Sequence, residues 1–246
     1  MISSIIFNQW VFALILNVSL ILIFHRIPIL TNKGWLHSGA LGTVLFGTLG
    51  WRGWVSVVIY LCVGSVVTRL GFKNKQAKGL AESRGGRRGP ENVWGSAATG
   101  AIIAILSTTN FIPKDILLLG FSASFAAKTA DTFGSEIGKR WGRSTYLITS
   151  FKRVEAGTEG AISLEGTIAS LVGSGVMIYF MFLLDYVPSL FIALLLTLIG
   201  FVSTLIESLL GAIVQNKYKF LTNEIINFIQ TAISAIMALC LFSFIL

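Results

Sequence analysis

Eight stretches of nearly unbroken apolar character divide the chain, at about 2–25, 35–51, 53–71, 92–109, 114–137, 163–185, 188–214 and 224–246. Between them charge, Gly and Pro collect. Each stretch is near the ~20 residues that an α-helix needs to cross a bilayer. Open strands fail on elementary grounds, because lipid offers no partner to the N–H and C=O groups of a sheet edge. The pattern predicts an all-α, polytopic helical membrane protein of about eight transmembrane helices, forming a single transmembrane domain over residues 1–246. The second stretch is short and Gly-rich. No Lys or Arg precedes the first and no small-residue cleavage site follows it, so it reads as a retained helix and not a removed leader.

Composition removes the soluble alternative. Of 246 residues, 54% are hydrophobic and 12% charged, against about 25% charged in ordinary soluble domains. Cys62 and Cys240 lie in apolar stretches with no zinc spacing, and His25 and His37 only flank the first connection.

The 19 basic residues set the expected orientation. Arg26 and Lys33 belong to the first connection, and Arg69, Lys73, Lys75, Lys78, Arg84, Arg87 and Arg88 to the third. Lys139, Arg140, Arg143, Lys152 and Arg153 belong to the fifth, and Lys217 and Lys219 to the seventh. Only Arg52 and Lys114 fall on the other side, and Lys128 sits inside a stretch. Basic connections stay in the cytoplasm, which puts these four inside and both termini on the opposite side. The net charge of +8 is then a topology signal that also attracts anionic membrane lipids. No motif calls for nucleic acid.

Two of the basic connections carry chemistry. In the run from Glu82 through Arg84-Gly85-Gly86-Arg87-Arg88 to Asn92, glycines alternate with guanidiniums whose planar forks match phosphate oxygens. Gly157-Thr158-Glu159-Gly160 exposes backbone in a manner suited to cradling phosphate, although no Walker A spacing follows. Between them lies Lys128-Thr129-Ala130-Asp131-Thr132-Phe133-Gly134-Ser135-Glu136, where Lys128, Asp131 and Ser135 share one helical face, with Lys139 one turn further on. Glu207 stands seven residues before Val214, about 10 Å along a helix axis, within a stripe of Gly200, Ser203, Thr204, Ser208 and Gly211. Glu165 opens the sixth stretch, beside Gly166 and Thr167. Acids inside membrane spans are costly and mark function by default. With hydroxyls beside them, Asp131, Glu136, Glu165 and Glu207 suit Mg²⁺, a hard ion taking oxygen ligands and substrate phosphates.

These same runs, Asp131–Gly138, Gly157–Thr167, Glu207-Ser208-Leu209-Leu210-Gly211-Ala212 and the Glu82–Asn92 loop, resemble the integral-membrane family that contains plant and cyanobacterial phytyl-phosphate kinases. The resemblance covers the chain from about the second stretch to the end. More remotely, the Asp131 run followed by Leu164-Glu165-Gly166-Thr167-Ile168-Ala169 is similar to the pattern of CTP-dependent dolichol and phytol kinases. The family pattern has Asp where Glu207 stands, a change that keeps the charge. The resemblance implies transfer of the γ-phosphate of a nucleoside triphosphate, CTP by the remoter likeness, to a prenyl monophosphate such as phytyl phosphate. It implies a prenyl diphosphate product of the kind used for tocopherol and prenylquinone synthesis.

In that reading Asp131 with Glu165 or Glu207 holds Mg²⁺, and Lys128, Arg84, Arg87 and Arg88 neutralise donor and acceptor. Glu82, Asn92, Thr132, Ser135, Lys139, Gly157, Thr158, Gly160, Gly166 and Thr167 surround the phosphates. The alternatives are a prenyl alcohol kinase, a cytidylyltransferase or a small-anion transporter.

Overall fold

The computed structural model describes residues 2–215, 217–218 and 220–245, with side chains from Asn8 onward. Lys219, counted above among the basic residues of the seventh connection, lies outside the described residues. The chain forms α1 (Ile2–Phe24), α2 (Asn32–Arg69), α3 (Phe72–Ala77), a 3₁₀ turn (Ser83–Gly86), α4 (Pro90–Leu106) and α5 (Lys114–Trp141). A two-residue hairpin of β1 (Tyr146–Leu147) and β2 (Ala161–Ile162) follows, then α6 (Leu164–Leu183), α7 (Leu190–Leu210) with a π-turn (Gly211–Gln215), and α8 (Asn223–Ile245).

The second and third predicted spans are the two arms of α2. Gly50 lies between them with non-helical backbone at φ 71°, ψ −162°. A straight helix of 38 residues would separate its ends by about 57 Å. Instead, Arg69 Nη2 donates to Pro28 O at 2.7 Å, just before the helix begins. The arms therefore fold back on each other, and the chain is a helical polytopic membrane protein as the pattern predicts.

Helix ends locate the two poles. Gln9 Nε2 donates to Phe46 O at 2.9 Å and Arg52 pairs with Asp185 at 2.8 Å, so α1 begins beside the turn of α2 and the α6–α7 connection. At the other pole Arg88 N donates to Ile29 O at 3.0 Å and Thr31 N to Arg88 O at 3.0 Å, tying the first and third connections together. The described residues of all four basic connections lie at this second pole.

By length and composition α2, α6, Leu190–Gln215 and α8 can each cross a membrane, and α1 contributes the shorter apolar run Asn8–Phe24. α5 is less apolar because the others shield it: it packs against α2, α4, α6, α7 and α8. Leu117, Leu119, Phe121 and Phe125 are almost wholly buried in its N-terminal half, with the Phe121 ring tilted against Phe125 and edge-to-face with Tyr186. α5 also runs past the predicted end at 137 to Trp141, with Glu136 and Lys139 near its end paired to Lys75 and Glu82.

Candidate functional site

A polar cavity of about 390 Å³ opens at the pole carrying the basic connections. The C-terminal ends of α2, α5 and α7 meet the N-terminal ends of α4, α6 and α8 around it. The Glu82–Asn92 segment and the Ala156–Ser163 return of the β-hairpin complete the wall. Three helix N-termini thus face one space, and the positive end of each helix dipole favours anions there.

The third connection acquires its shape from a run of left-handed residues, Arg84 (φ 55°), Gly85 (φ 66°) and Gly86 (φ 76°). A Cβ on Gly85 would meet nothing within 4 Å, so backbone conformation and not space calls for glycine there. The turn sends Arg87 and Arg88 back toward the cavity. Arg87 lines it, and Arg88 points inward with its guanidinium 5.0 Å from the Tyr60 ring.

Opposite them Lys128 and Asp131 form an ion pair one turn apart on α5, at 8% and 16% side-chain exposure. Glu207 of α7 faces the same cavity, and the charges of Asp131, Lys128 and Glu159 all reach it. Lys139 pairs with Glu82 at 3.4 Å. In the loop, burial pushes the Glu159 carboxyl above the usual carboxylate range. Lys139 opposes that rise and the Asp131 charge adds to it.

Gly160 closes the wall. Its φ is 75°, and a Cβ there would lie 2.6 Å from Ser208 O and 2.7 Å from Ala212 N. Gly160→Ala should therefore cost about 1–3 kcal/mol of stability, read as a lower unfolding midpoint in detergent. An unchanged midpoint would mean that the loop reaches α7 some other way.

Most residues expected from the sequence converge here: Lys128, Asp131, Thr132, Ser135, Glu136, Lys139, Glu207, Glu82, Arg87, Arg88, Asn92, Gly157, Thr158, Gly160, Gly166 and Thr167 all line the cavity. Arg84 and Glu165 are not among the lining residues. Arg84 instead pairs with Glu91 and donates to Asn92 Oδ1 at 2.9 Å, which makes it a brace for the start of α4.

Glu136 reaches the wall but is committed to Lys75. That ion pair is nearly sealed, at 1% and 3% exposure, and Lys75 Nζ also donates to Thr68 O at 2.8 Å. Gly166 gives its N–H to the capping Ser163 Oγ at 3.1 Å. Its missing side chain lets α6 cross α5, since a Cβ would lie 2.9 Å from Gly134 O.

The expected set of four metal-binding acids is therefore not assembled. Among the described residues no three His, Cys, Asp or Glu side chains group as a metal cage. The cavity's donor set still fits Mg²⁺, which commonly takes one or two carboxylates and completes its shell with waters and substrate phosphates. Asp131 and Glu207, on separate helices and both lining the cavity with Ser135 and Ser208, are the carboxylates that would hold it.

The sequence places a span at 224–246, where α8 lies, but no site residue was expected on it. Asn227, Gln230, Thr231 and Ser234 are all buried and follow the i, i+3, i+4, i+7 spacing of one helical face. Asn227 lines the cavity. Below it Gln230 Nε2 donates to Ala127 O and Thr204 Oγ1, both at 3.1 Å, and Ser234 Oγ to Ala123 O at 2.9 Å. The signal was legible as a polar stripe on an apolar helix. Tyr60 and Lys75 carried no such signal.

A polytopic helical membrane protein with a mixed basic and acidic cavity at one pole is the class that this architecture defines. The chain belongs to the family described as Integral membrane protein DUF92, which it matches over residues 15–235. This agrees with the family resemblance carried by the Asp131, Gly157–Thr167 and Glu207 runs. An uncharacterized membrane protein of Synechocystis is 43% identical over 94% of this chain and 90% of its own length. Protein VTE6, chloroplastic, of Arabidopsis thaliana is 40% identical over 85% of this chain and 66% of its own length. An uncharacterized membrane protein of Methanocaldococcus jannaschii is 32% identical over 87% of this chain and 86% of its own. No solved structure matches the chain.

Proposed function

We propose that the protein is a membrane phosphotransferase that moves the γ-phosphate of a nucleoside triphosphate, CTP by family likeness, onto a prenyl monophosphate. The observation that carries this reading is one cavity holding Arg87, Arg88, Lys128 and Lys139 together with Asp131 and Glu207. Lys128 and Lys139 are already paired with Asp131 and Glu82, but Arg87 and Arg88 make no ion pair among the described residues, and their guanidinium forks suit the oxygens of a phosphate-bearing substrate.

In the proposed reaction an oxygen of the prenyl phosphate attacks the γ-phosphorus in line. The bond from that phosphorus to the β-bridging oxygen breaks, leaving a prenyl diphosphate and a nucleoside diphosphate. Charge is spread over the transferring group, so catalysis is positioning and neutralisation. Arg87 and Arg88 hold the acceptor, Lys139 and the N-terminus of α6 face the donor phosphates, and Lys128 fixes the Asp131 carboxylate. Bound Mg²⁺, held by Asp131 and Glu207, would neutralise charge on the donor phosphates.

An alcohol acceptor would need a base to remove its proton. Asp131, the base the sequence offers, is already ion-paired to Lys128, whereas a monophosphate acceptor arrives ionised and needs none. Among the described residues the packing of α5 around Phe121 and Phe125 is apolar and sealed, which argues against transport.

The test is to incubate purified protein with phytyl phosphate or phytol and each of the four nucleoside triphosphates, then weigh the products. Phytyl diphosphate with the nucleoside diphosphate supports the reading. Phosphorylation of phytol alone, or release of inorganic diphosphate, replaces it with the alcohol kinase or the cytidylyltransferase.

The basic pole is proposed to face the cytoplasm. Single cysteines placed at 73–91 and 139–160 should then resist membrane-impermeant thiol reagents added to intact cells. Labelling of both segments from outside reverses the orientation.

A further inference from the structure

A second cavity, of about 290 Å³, lies between α1, α2 and the start of α4. Its walls are apolar, formed by side chains such as Leu20, Ile21, Leu41, Val57, Leu61 and Ala97. Phe24, Ile27 and Cys62 also line it and are themselves exposed on the helix surface, so it opens toward the space that lipid fills. Asn17, a polar side chain in the wall, spends its amide inside the protein: it donates to Ala13 O at 2.8 Å and accepts from Trp54 Nε1 at 3.1 Å.

Tyr60, Arg88 and Asn92 line both this cavity and the charged one. The two spaces thus adjoin, with these three side chains in the common wall. Arg88 Nη1 and the Tyr60 hydroxyl are buried there without hydrogen-bond partners. Orphaned donors of this kind, one of them cationic, call for an anion. The other side of the wall calls for hydrocarbon, because an apolar cavity stays dry and takes apolar ligands.

One molecule meets both demands: an amphiphile with an anionic head and an apolar tail. We infer that the α1–α2–α4 cavity holds the tail of the isoprenoid monophosphate acceptor, while Arg88 and Tyr60 bind its phosphate at the junction. The inference rests on the kinase reading for the identity of the head group, but the tail site is testable apart from turnover. The arrangement also explains how a lipid substrate meets a water-soluble nucleotide. The tail enters sideways from the bilayer, the nucleotide comes from the aqueous pole, and only the phosphate crosses the wall of Arg88.

The test is photolabelling of the full chain in lipid nanodiscs. The probe is a C20 isoprenoid monophosphate carrying a diazirine at the far end of its tail. Adducts should map to 17–42 and 54–62. An unlabelled C20 isoprenoid phosphate in excess should suppress them at least tenfold, and phosphatidylglycerol at the same concentration should not. Val58→Trp, which fills the cavity from α2, should reduce labelling at these segments by about the same factor. The wild-type map needs no variant, so it stays decisive if Val58→Trp misfolds.

Adducts confined to α6, α7 or α8 overturn the inference, as does equal competition by phosphatidylglycerol, which would make the cavity a berth for bulk lipid. Turnover measured on the same preparation separates the two claims. Labelling at the expected segments without phosphoryl transfer keeps the tail site and removes the kinase reading. Transfer with labelling elsewhere does the reverse.

Discussion

Asp131→Asn should abolish phosphoryl transfer, with turnover falling about 10²–10³-fold, the scale of removing one charge-stabilising group from a closed site. Asp131 stands on the cavity wall beside Thr132 and Ser135 and across from Glu207. It is also the ion-pair partner of Lys128, at 8% exposure. Removing one member of a buried pair strands the other charge, which costs about 3–5 kcal/mol in typical cases. The single variant therefore loses stability as well as activity, and loss of turnover alone would not separate the two roles.

The double variant Asp131→Asn/Lys128→Met separates them. With both charges gone, the unfolding midpoint should return close to the wild-type value, because neutral replacements of buried pairs are often harmless. Turnover should stay lost. If the double variant instead regains turnover, Asp131 serves only to neutralise Lys128. Near-normal turnover of Asp131→Asn at limiting Mg²⁺ would likewise remove it from the metal-binding pair.

Much of this arrangement is legible in one dimension because a membrane span is a one-dimensional object: about 20 apolar residues announce themselves wherever the partners lie. For the same reason the break that the sequence sets at residue 52 falls two residues from the kink at Gly50. The convergence of the Lys128–Lys139 run with Gly157–Thr167 and Glu207 follows from helix direction, since alternating spans bring those ends to one pole. What a sequence does not carry is which charge meets which. Glu136 reads as one more acid beside Asp131, yet its partner Lys75 lies 61 residues away on the short α3. Arg84, Arg87 and Arg88 read as one cluster, yet the left-handed turn at Arg84–Gly86 sends them to different tasks. The β-hairpin, with two residues in each strand, is too short to leave a period-two pattern.

Lys75→Met should lower the unfolding midpoint in detergent by on the order of 10 °C, from the roughly 3–5 kcal/mol of a broken buried pair spread over a chain of this size. Lys75 and Glu136 are at 1% and 3% exposure, the most enclosed ion pair among the described residues. Without the ammonium, the Glu136 carboxylate keeps its desolvation cost and loses its main compensation, and Thr68 O loses its donor. The pair also pins α3, and with it the start of the third connection, to the end of α5. Opening it should loosen the Glu82–Asn92 wall and weaken the binding of both substrates. Adding Glu136→Leu should recover most of the midpoint, because an apolar pair of similar size fills the space without charge. A stable Lys75→Met whose Mg²⁺-dependent turnover is nevertheless lost would have a different meaning. Glu136 would then belong with Asp131 and Glu207 in binding the metal, as its place in the sequence suggests, and Lys75 would hold it only until the metal arrives.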